Sequence, residues 1–112
     1  MKKYILTTIA CLALGNANAA TFFSTNTINR LGSIESRADG DFIVIKDFKQ
    51  AGDCPLSNGL VVARFHSGEV GSRSFSIALA AKMAGKKVKL TVDDADKNAN
   101  GSCYVLSVEI SE

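Results

Sequence analysis

The chain of 112 residues has no tryptophan, one proline and one histidine. Its aromatic residues are six Phe and two Tyr, so few side chains can stack on sugar rings or on nucleic-acid bases. One histidine cannot supply the ligand cluster of a zinc site, and the cysteines have a better use in a disulfide, so we predict no metal and no other cofactor. The longest apolar run, Tyr4 to Leu14, is shorter than the roughly 20 residues that a spanning helix needs, so we predict no membrane span.

Residues 1–19 have the organisation of a bacterial secretory signal peptide. Lys2 and Lys3 precede the apolar run, and the small tripeptide Ala-Asn-Ala follows it. This pattern predicts cleavage between Ala19 and Ala20. We therefore expect an exported protein, periplasmic or secreted, in which residues 20–112 form a single small domain.

Removal of the signal changes the charge of the protein. The whole chain has 13 Lys and Arg against 11 Asp and Glu, but Lys2 and Lys3 leave with the signal while every acidic residue remains. Residues 20–112 are therefore formally neutral. Neutrality and export both argue against a nucleic-acid partner, and neutrality also argues against an anionic membrane surface.

Two of the three cysteines, Cys54 and Cys103, lie after the predicted cleavage site. An even number of cysteines in an exported protein predicts a disulfide between them. Closing a loop of about fifty residues would stabilise the fold by about 4 kcal/mol on the chain-entropy model. Cys11 as a lipoprotein acceptor is the less favoured alternative, because the residues at 8–10 are Thr-Ile-Ala rather than a leucine-led box.

Hydrophobic periodicity predicts five strands and one helix. After a polar lead at 20–27, Asp39-Gly40 is expected to supply a hairpin turn with positive φ, and Gly85 is expected to end the helix in the left-handed conformation. The strands are predicted at 28–37, 42–45, 60–65, 87–92 and 104–110, the helix from Ser72 or Ser74 to Ala84, and loops at 46–59 and 93–102.

The predicted element order is three strands, one helix and two strands. This is the connectivity of the OB-fold, a mainly β, partly open five-stranded barrel with one helix. An α+β sheet covered by one helix has the same order and remains the alternative.

The run Leu79 to Leu90, in which a helix ends in Ala-Gly-Lys-Lys before an alternating strand, is followed after a polar loop by Cys103-Tyr104-Val105. These segments resemble small exported proteobacterial proteins related to the B subunits of AB5 toxins, the subtilase-cytotoxin type in particular. The resemblance covers residues 60–110. It implies an OB-fold that assembles as a ring, typically a pentamer, and binds cell-surface glycans through its loops and one sheet face.

His66 is the only histidine and lies near Ser67 and Glu69, a composition that could form a nucleophile and its base. A Ser-His-acid site also needs an oxyanion donor, and a lone histidine on a glycine-containing loop is more often a surface residue. We therefore predict that the protein is not an enzyme.

The loop at 93–102 holds the candidate ligand-binding residues. Its Asp-x-Asp-x-Asn spacing is like the opening of a calcium loop, but Ala99 replaces the required glycine and Val105 replaces the bidentate glutamate. In an OB-fold this loop borders the ligand site, where carboxylates and amides can bond sugar hydroxyls. The candidate residues are Asp93, Asp94, Asp96, Asn98 and Asn100.

The leading hypothesis is an exported, disulfide-linked binding module that recognises a cell-surface glycan or an envelope component, with a homo-oligomeric ring as its expected assembly. The alternative is a periplasmic interaction or inhibitor protein without catalytic activity, which contacts a protein partner through the loop at 46–59.

Overall fold

The computed structural model describes residues 20–111, which are mainly β with one helix. The predicted signal peptide at 1–19 lies outside the described residues. The elements are β1 (Thr21–Gly32), β2 (Phe42–Ile45), β3 (Leu56–Ser57), β4 (Leu60–Val61), β5 (Ala63–Arg64), α1 (Glu69–Ala84), β6 (Lys87–Lys97) and β7 (Cys103–Ser111).

Five of these strands form a closed ring in the order β1-β2-β5-β7-β6, and β6 returns to β1. Four of the pairings are antiparallel, and β5 with β7 is parallel. The remaining strands, β3 and β4, make a small hairpin outside the ring. The predicted five-stranded sheet with a helix after its third strand is therefore confirmed.

The core fills the inside of the ring with alternate residues of the strands. Val88, Leu90 and Val92 of β6 are fully buried, as their alternation predicts. Strand β2 contributes Ile43 and Ile45 to the core. These aliphatic side chains dominate the interior, and no charged or polar side chain is buried among residues 20–111.

Helix α1 covers the core with its smallest residues. Ala78 and Ala81 are fully buried, and Gly71 is also buried. Phe75 packs against the core, where its ring meets Phe65 edge-on with centroids 5.5 Å apart. Small side chains let the helix backbone approach the sheet closely.

The start of α1 differs from the prediction and its end agrees with it. The helix begins after Gly68 with no side-chain cap, rather than at a serine cap supplied by Ser72 or Ser74. Gly85 ends it with φ 69°, and its amide donates to the carbonyls of Ala81 and Lys82. The left-handed glycine cap is therefore confirmed.

The first strand lies earlier than predicted. Residues 21–27, expected as a polar lead, pair with residues 87–93 of β6, and the strand ends at Gly32 rather than at 37. Threonine and phenylalanine are good strand residues, and one face of this strand is exposed, so its polar composition is compatible with pairing. Residues 33–41 then form a loop.

The predicted turn at Asp39-Gly40 also differs in its mechanism. Gly40 is not among the described glycines with positive φ. Glycine is required at position 40 because a Cβ there would overlap the carbonyl oxygen of Ile34. The amide of Ile34 donates to the carbonyl of Gly40 at 3.1 Å, and this contact closes the loop.

The last two strands differ from the predicted pattern because of a bulge. Strand β6 continues to Lys97, so residues 93–97 are strand rather than loop. Thr91 pairs with Ser107 whereas Val92 pairs with Val105, which leaves Leu106 as the extra residue. The alternation of β7 is therefore interrupted, and its buried positions are 103, 105 and 108.

The predicted disulfide between Cys54 and Cys103 is confirmed, with Cα atoms 5.6 Å apart. It fastens the loop that carries the β3–β4 hairpin to the start of β7. The helix of residues 20–111 is too short and too weakly apolar to cross a membrane.

Candidate functional site

A row of side chains crosses the outer face of the ring. Gly32, Phe42, Arg64 and Tyr104 lie opposite one another in successive strand pairs. Directly paired residues share a face of the sheet, and the preceding Ala63 is fully buried, so this row points outward. The row joins two adjoining surfaces, which we describe in turn.

The first surface, which we call the polar cluster, consists of Asp39, His66, Asp96, Asn98 and Tyr104. The rings of His66 and Tyr104 stack with centroids 3.7 Å apart and an interplanar angle of 18°. Nε2 of His66 lies 3.0 Å from Oδ2 of Asp96, and both side chains are close to half exposed, at 45% and 46%. The stack therefore forms an aromatic platform open to solvent, with a carboxylate at its edge.

Asp39 connects the other side of the polar cluster. Its Oδ2 accepts hydrogen bonds from Nδ2 of Asn98 at 2.8 Å and from the hydroxyl of Tyr104 at 3.1 Å. Its Oδ1 lies 3.4 Å from Arg37. The loop at 33–41 and the loop at 98–102 are thereby held together over Tyr104.

These contacts set the protonation of the polar cluster. The amide of Asn98 lowers the pKa of Asp39 most, and Tyr104 and Arg37 lower it further against the opposing effect of burial. Burial raises the pKa of Tyr104, and its hydrogen bond to Asp39 raises it further. At neutral pH Asp39 is therefore ionised and Tyr104 keeps its proton as the donor.

Asn98 is itself held in one orientation. Its Oδ1 accepts from the amides of Asn100 at 3.0 Å and Ser102 at 2.9 Å. These two bonds fix the side-chain amide so that its nitrogen faces Asp39. The tight loop at 98–102 therefore places a polar group by its own backbone geometry.

The five predicted ligand residues separate into two groups. Asp96 and Asn98 belong to the polar cluster. The Oδ1 atoms of Asp93 and Asp94 accept from the backbone amides of Ala95 and Ala20, respectively, and Asp94 lies against Gly52. The exposed Asn100 contributes its backbone amide to Asn98. The structure therefore brings two of the five together at the platform.

The second surface, which we call the arginine cleft, adjoins the first and encloses about 320 Å³. Cζ of Arg30 and Cζ of Arg64 each lie 5.6 Å from the centroid of the Phe42 ring. The ring of Phe42 lies over Gly32, where a Cβ would come within 2.9 Å of its Cζ. The cleft is lined by Arg30, Ile34, Phe42, Pro55, Leu56, Ser57, Val62, Arg64 and Ser102.

Arg64 is held between the two surfaces. Its Nη1 donates to the carbonyl of Gly40 at 3.3 Å. Burial lowers the pKa of Arg64, the neighbouring charge of Arg37 lowers it further, and the carboxylate of Asp39 opposes both. The guanidinium stays charged at every physiological pH.

The arrangement around His66 differs from that of a serine nucleophile site. The partner of His66 is Asp96 rather than Ser67 or Glu69. Within residues 20–111 no three metal-binding side chains are grouped. The described chemistry of this surface consists of hydrogen bonding, aromatic contact and positive charge.

Several residues of the two surfaces were missed by the sequence analysis. Tyr104 was assigned to the last strand without a role at a site, although a buried disulfide at Cys103 would place the next residue, Tyr104, on the outer face. Asp39 was assigned only to a turn. Arg30 and Arg64 gave no signal, because their proximity depends on the register of three strands.

A scan against protein-family models found no match, and neither the curated proteins nor the solved structures that were searched contained one. The resemblance to AB5 toxin B subunits therefore stays a prediction.

Proposed function

We propose that this protein is an exported OB-fold module that binds a glycan, or another polar envelope component, through the polar cluster. The observation that carries the proposal is the solvent-open stack of His66 on Tyr104 with Asp96 and Asn98 beside it. A sugar ring places its apolar C–H face on an aromatic platform and its hydroxyls on carboxylates and amides. The polar cluster offers both kinds of contact within one surface.

The order of the ring strands supports the OB-fold part of the proposal. Counting only β1, β2, β5, β6 and β7 as strands one to five, the ring order is 1-2-3-5-4, with α1 between strands three and four. OB-folds bind oligosaccharides and oligonucleotides on the face of strands 2 and 3 and through the loops 1-2 and 4-5. In this chain, those loops are 33–41 and 98–102, which carry Asp39 and Asn98.

The proposal describes a binding module rather than an enzyme. His66 is engaged by the carboxylate of Asp96 and stacked on Tyr104, which suits a contact surface. Ring assembly as a pentamer belongs to the proposal through the resemblance. Helix α1 leaves several apolar side chains exposed that contacts between copies could cover, namely Val70, Ile77, Leu79 and Met83.

The test of glycan binding is a glycan array probed with the oxidised protein of residues 20–112. We expect a restricted set of glycans to bind, and His66→Ala to reduce that binding by about tenfold or more, which corresponds to about 1.4 kcal/mol. Lys97→Gln is the matched control, because Lys97 lies beside Asp96 in sequence but bonds Asp53 outside the polar cluster. A folded protein that binds no glycan would overturn the proposal.

Native mass spectrometry of the same protein tests the assembly. A ring of five would support the B-subunit-like part of the proposal. A monomer at the concentrations that bind ligand would remove ring assembly from it and leave the binding surface to be judged by the array.

The export part of the proposal has a test within the fold. The amide nitrogen of Ala20 lies 3.3 Å from Oδ1 of Asp94. Cleavage after Ala19 would convert this amide into an ammonium that faces the carboxylate. We expect intact mass to give a chain beginning at Ala20 when the full sequence is expressed in an exporting host; retention of residues 1–19 would contradict export.

A second candidate function is favoured by the loop at 46–59. The disulfide at Cys54 holds this loop, and the adjoining β3–β4 hairpin leaves Leu56 51% exposed. A constrained loop with an apolar tip is a surface that a protein partner can cover. Stoichiometric capture of one envelope protein, lost on Leu56→Ser, would support this interaction or inhibitor function over glycan binding.

A further inference from the structure

We infer that the arginine cleft binds a small oxyanionic group, a carboxylate, sulfate or phosphate, between the guanidinium groups of Arg30 and Arg64. This site is separate from the polar cluster, and the inference holds whether or not the ligand is a glycan.

The first observation is that neither arginine of the cleft forms an ion pair. Among residues 20–111, two ion pairs join Arg37 to Asp39 and Lys97 to Asp53, and His66 contacts Asp96. Arg30 and Arg64 take part in none of these contacts. The nearby carboxylate of Asp39 is already engaged by Arg37, Asn98 and Tyr104. Neither guanidinium of the cleft therefore has an ion-pair partner among residues 20–111, and the one carboxylate that acts on Arg64, Asp39, is shared with Arg37.

The second observation is that both cations are held in place. Each Cζ lies 5.6 Å from the Phe42 ring centroid, which is within the range of a cation–π contact. The Phe42 ring is itself seated over Gly32. Side chains that are positioned before binding lose less rotamer entropy when a ligand arrives.

The third observation is an unused donor. Nη1 of Arg64 bonds the carbonyl of Gly40, and Nε is buried, so neither atom is open to a ligand. Nη2 forms no hydrogen bond with the described residues, and a guanidinium N–H bonds a carboxylate or phosphate oxygen strongly.

The cleft also defines the rest of the ligand. Its volume of about 320 Å³ suits a small organic acid or one sugar residue rather than a bare ion. Ile34 and Leu56 give it apolar walls, and Ser57 and Ser102 add side chains with hydroxyl groups. The ligand is therefore expected to carry its oxyanion on a compact, partly apolar body.

The test follows the Nε–Hε signals of the four arginines, Arg30, Arg37, Arg64 and Arg73, by NMR at constant ionic strength. The probes are glucuronate, glucose 6-sulfate and glucose 6-phosphate, with glucose as the neutral control. We expect the signals of Arg30 and Arg64 to shift together and to saturate with at least one of the acidic probes. The signal of Arg73, on α1, should not move.

Variants assign that binding to the cleft. Arg30→Gln alters an exposed strand position and should weaken binding of the acidic probe by about tenfold or more, because one of the two charges is lost. Arg30→Lys should retain part of the affinity, since it keeps the charge without the planar fork. Arg73→Gln is the matched control and should bind as the unaltered protein does.

The outcomes separate the oxyanions and can overturn the inference. Preference for one acidic probe identifies the group that the cleft accepts. Absence of saturable shifts with all three acidic probes, equal shifts with glucose, or affinity unchanged in Arg30→Gln would each overturn it. Because the cluster variant His66→Ala leaves both cleft arginines in place, loss of glycan binding in that variant and loss of anion binding in Arg30→Gln are separate results.

Discussion

The polar cluster and the arginine cleft lie side by side on one face of the ring and differ in whether their charged groups are paired. In the polar cluster, the carboxylates of Asp39 and Asp96 are each bonded by neighbouring side chains. In the arginine cleft, Arg30 and Arg64 lie against the Phe42 ring and have no carboxylate partner among residues 20–111. The first surface is complete without a ligand, and the second has positive charge that a ligand can neutralise.

Under the two proposals, this difference gives the two surfaces different tasks. Satisfied hydrogen-bonding groups give shape and orientation, because their positions are already fixed. Uncompensated charges give attraction to one class of chemical group. A ligand that spans both surfaces would be oriented by one and selected by charge at the other.

The largest expected effect comes from replacing both cysteines, Cys54→Ser with Cys103→Ser. We expect the free energy of unfolding to fall by about 2–4 kcal/mol, because the denatured chain gains the freedom of a long loop. Urea denaturation measures the loss. It also tests the comparison, since the loop that walls the cleft at Pro55 and Leu56 is released while the contacts of the polar cluster remain.

In that variant the cleft wall should therefore become mobile while the polar cluster stays ordered. We expect the amide signals of Leu56 and Ser57 to broaden while those of 98–102 keep their positions in native conditions. Equal change in both loops, or an unchanged urea midpoint, would contradict a wall held by the disulfide.

Phe42→Ala breaks the cleft and leaves the polar cluster in place. We expect a loss of about 2 kcal/mol in unfolding free energy, from two cation–π contacts and from buried aromatic area. Thermal or urea denaturation measures it. Phe23→Ala is the matched control, since Phe23 is 63% exposed and, among residues 20–111, only Lys89 lies over its ring. An equal loss in both variants would contradict a special role of Phe42.

Asp39→Asn breaks the polar cluster and leaves the cleft in place. We expect a loss of about 1 kcal/mol at neutral pH, because charge-assisted hydrogen bonds from Asn98 and Tyr104 become weaker on a partly exposed group. Asp41→Asn is the control, because the side chain of Asp41 bonds only Ser33 among the described residues, and its backbone bond from Phe65 is kept in the variant.

The same variant has an expected pH dependence. The pKa of Asp39 is lowered from its ordinary value of 3.8 in the folded protein, so its stabilising effect is complete above that value. As the pH falls below 3.8 toward the lowered folded-state pKa, the effect is lost. The stability difference between the protein and Asp39→Asn should therefore shrink in that acidic range, and a difference that grows there would contradict the assignment.

Lys97→Gln should have the smallest effect. Lys97 bonds Asp53 at 2.6 Å, but Asp53 is largely exposed, and exposed ion pairs stabilise little. We expect an unchanged urea midpoint and unchanged binding by both surfaces. A clear loss of binding would mean that the end of β6, rather than the aromatic platform alone, orients the ligand.

The sequence predicted those features of the fold that depend on local pattern. Val88, Leu90 and Val92 face the core as their alternation requires, and Gly85 ends the helix. The disulfide was predicted from the even number of cysteines after the expected cleavage site and from the expected export of the protein. Each of these depends on neighbouring residues or on composition, which a single sequence contains.

The features that could not be predicted depend on pairing between distant segments. The bulge at Leu106 reverses which residues of β7 face inward, and nothing in the local alternation indicates it. The polar residues at 21–27 become strand only because β6 lies beside them. The candidate site was predicted in part, at Asp96 and Asn98, because the sequence indicated a ligand loop at 93–102. Asp39 and Arg64 were not predicted, because they lie in the loop at 33–41 and in β5.

The parallel junction of β5 and β7 has a consequence for how the fold forms. It consists of two residue pairs, Ala63 with Cys103 and Arg64 with Tyr104, and it closes the ring across the helix and β6. Bringing such distant segments together is slow, because chain entropy is lost before contacts form. Once the disulfide joins Cys54 to Cys103, Ala63 is connected to Cys103 through the short stretch of chain between Cys54 and Ala63. Oxidation before closure would thus turn a long-range search into a local one, and it would speed the pairing of the two strands that carry Arg64 and Tyr104.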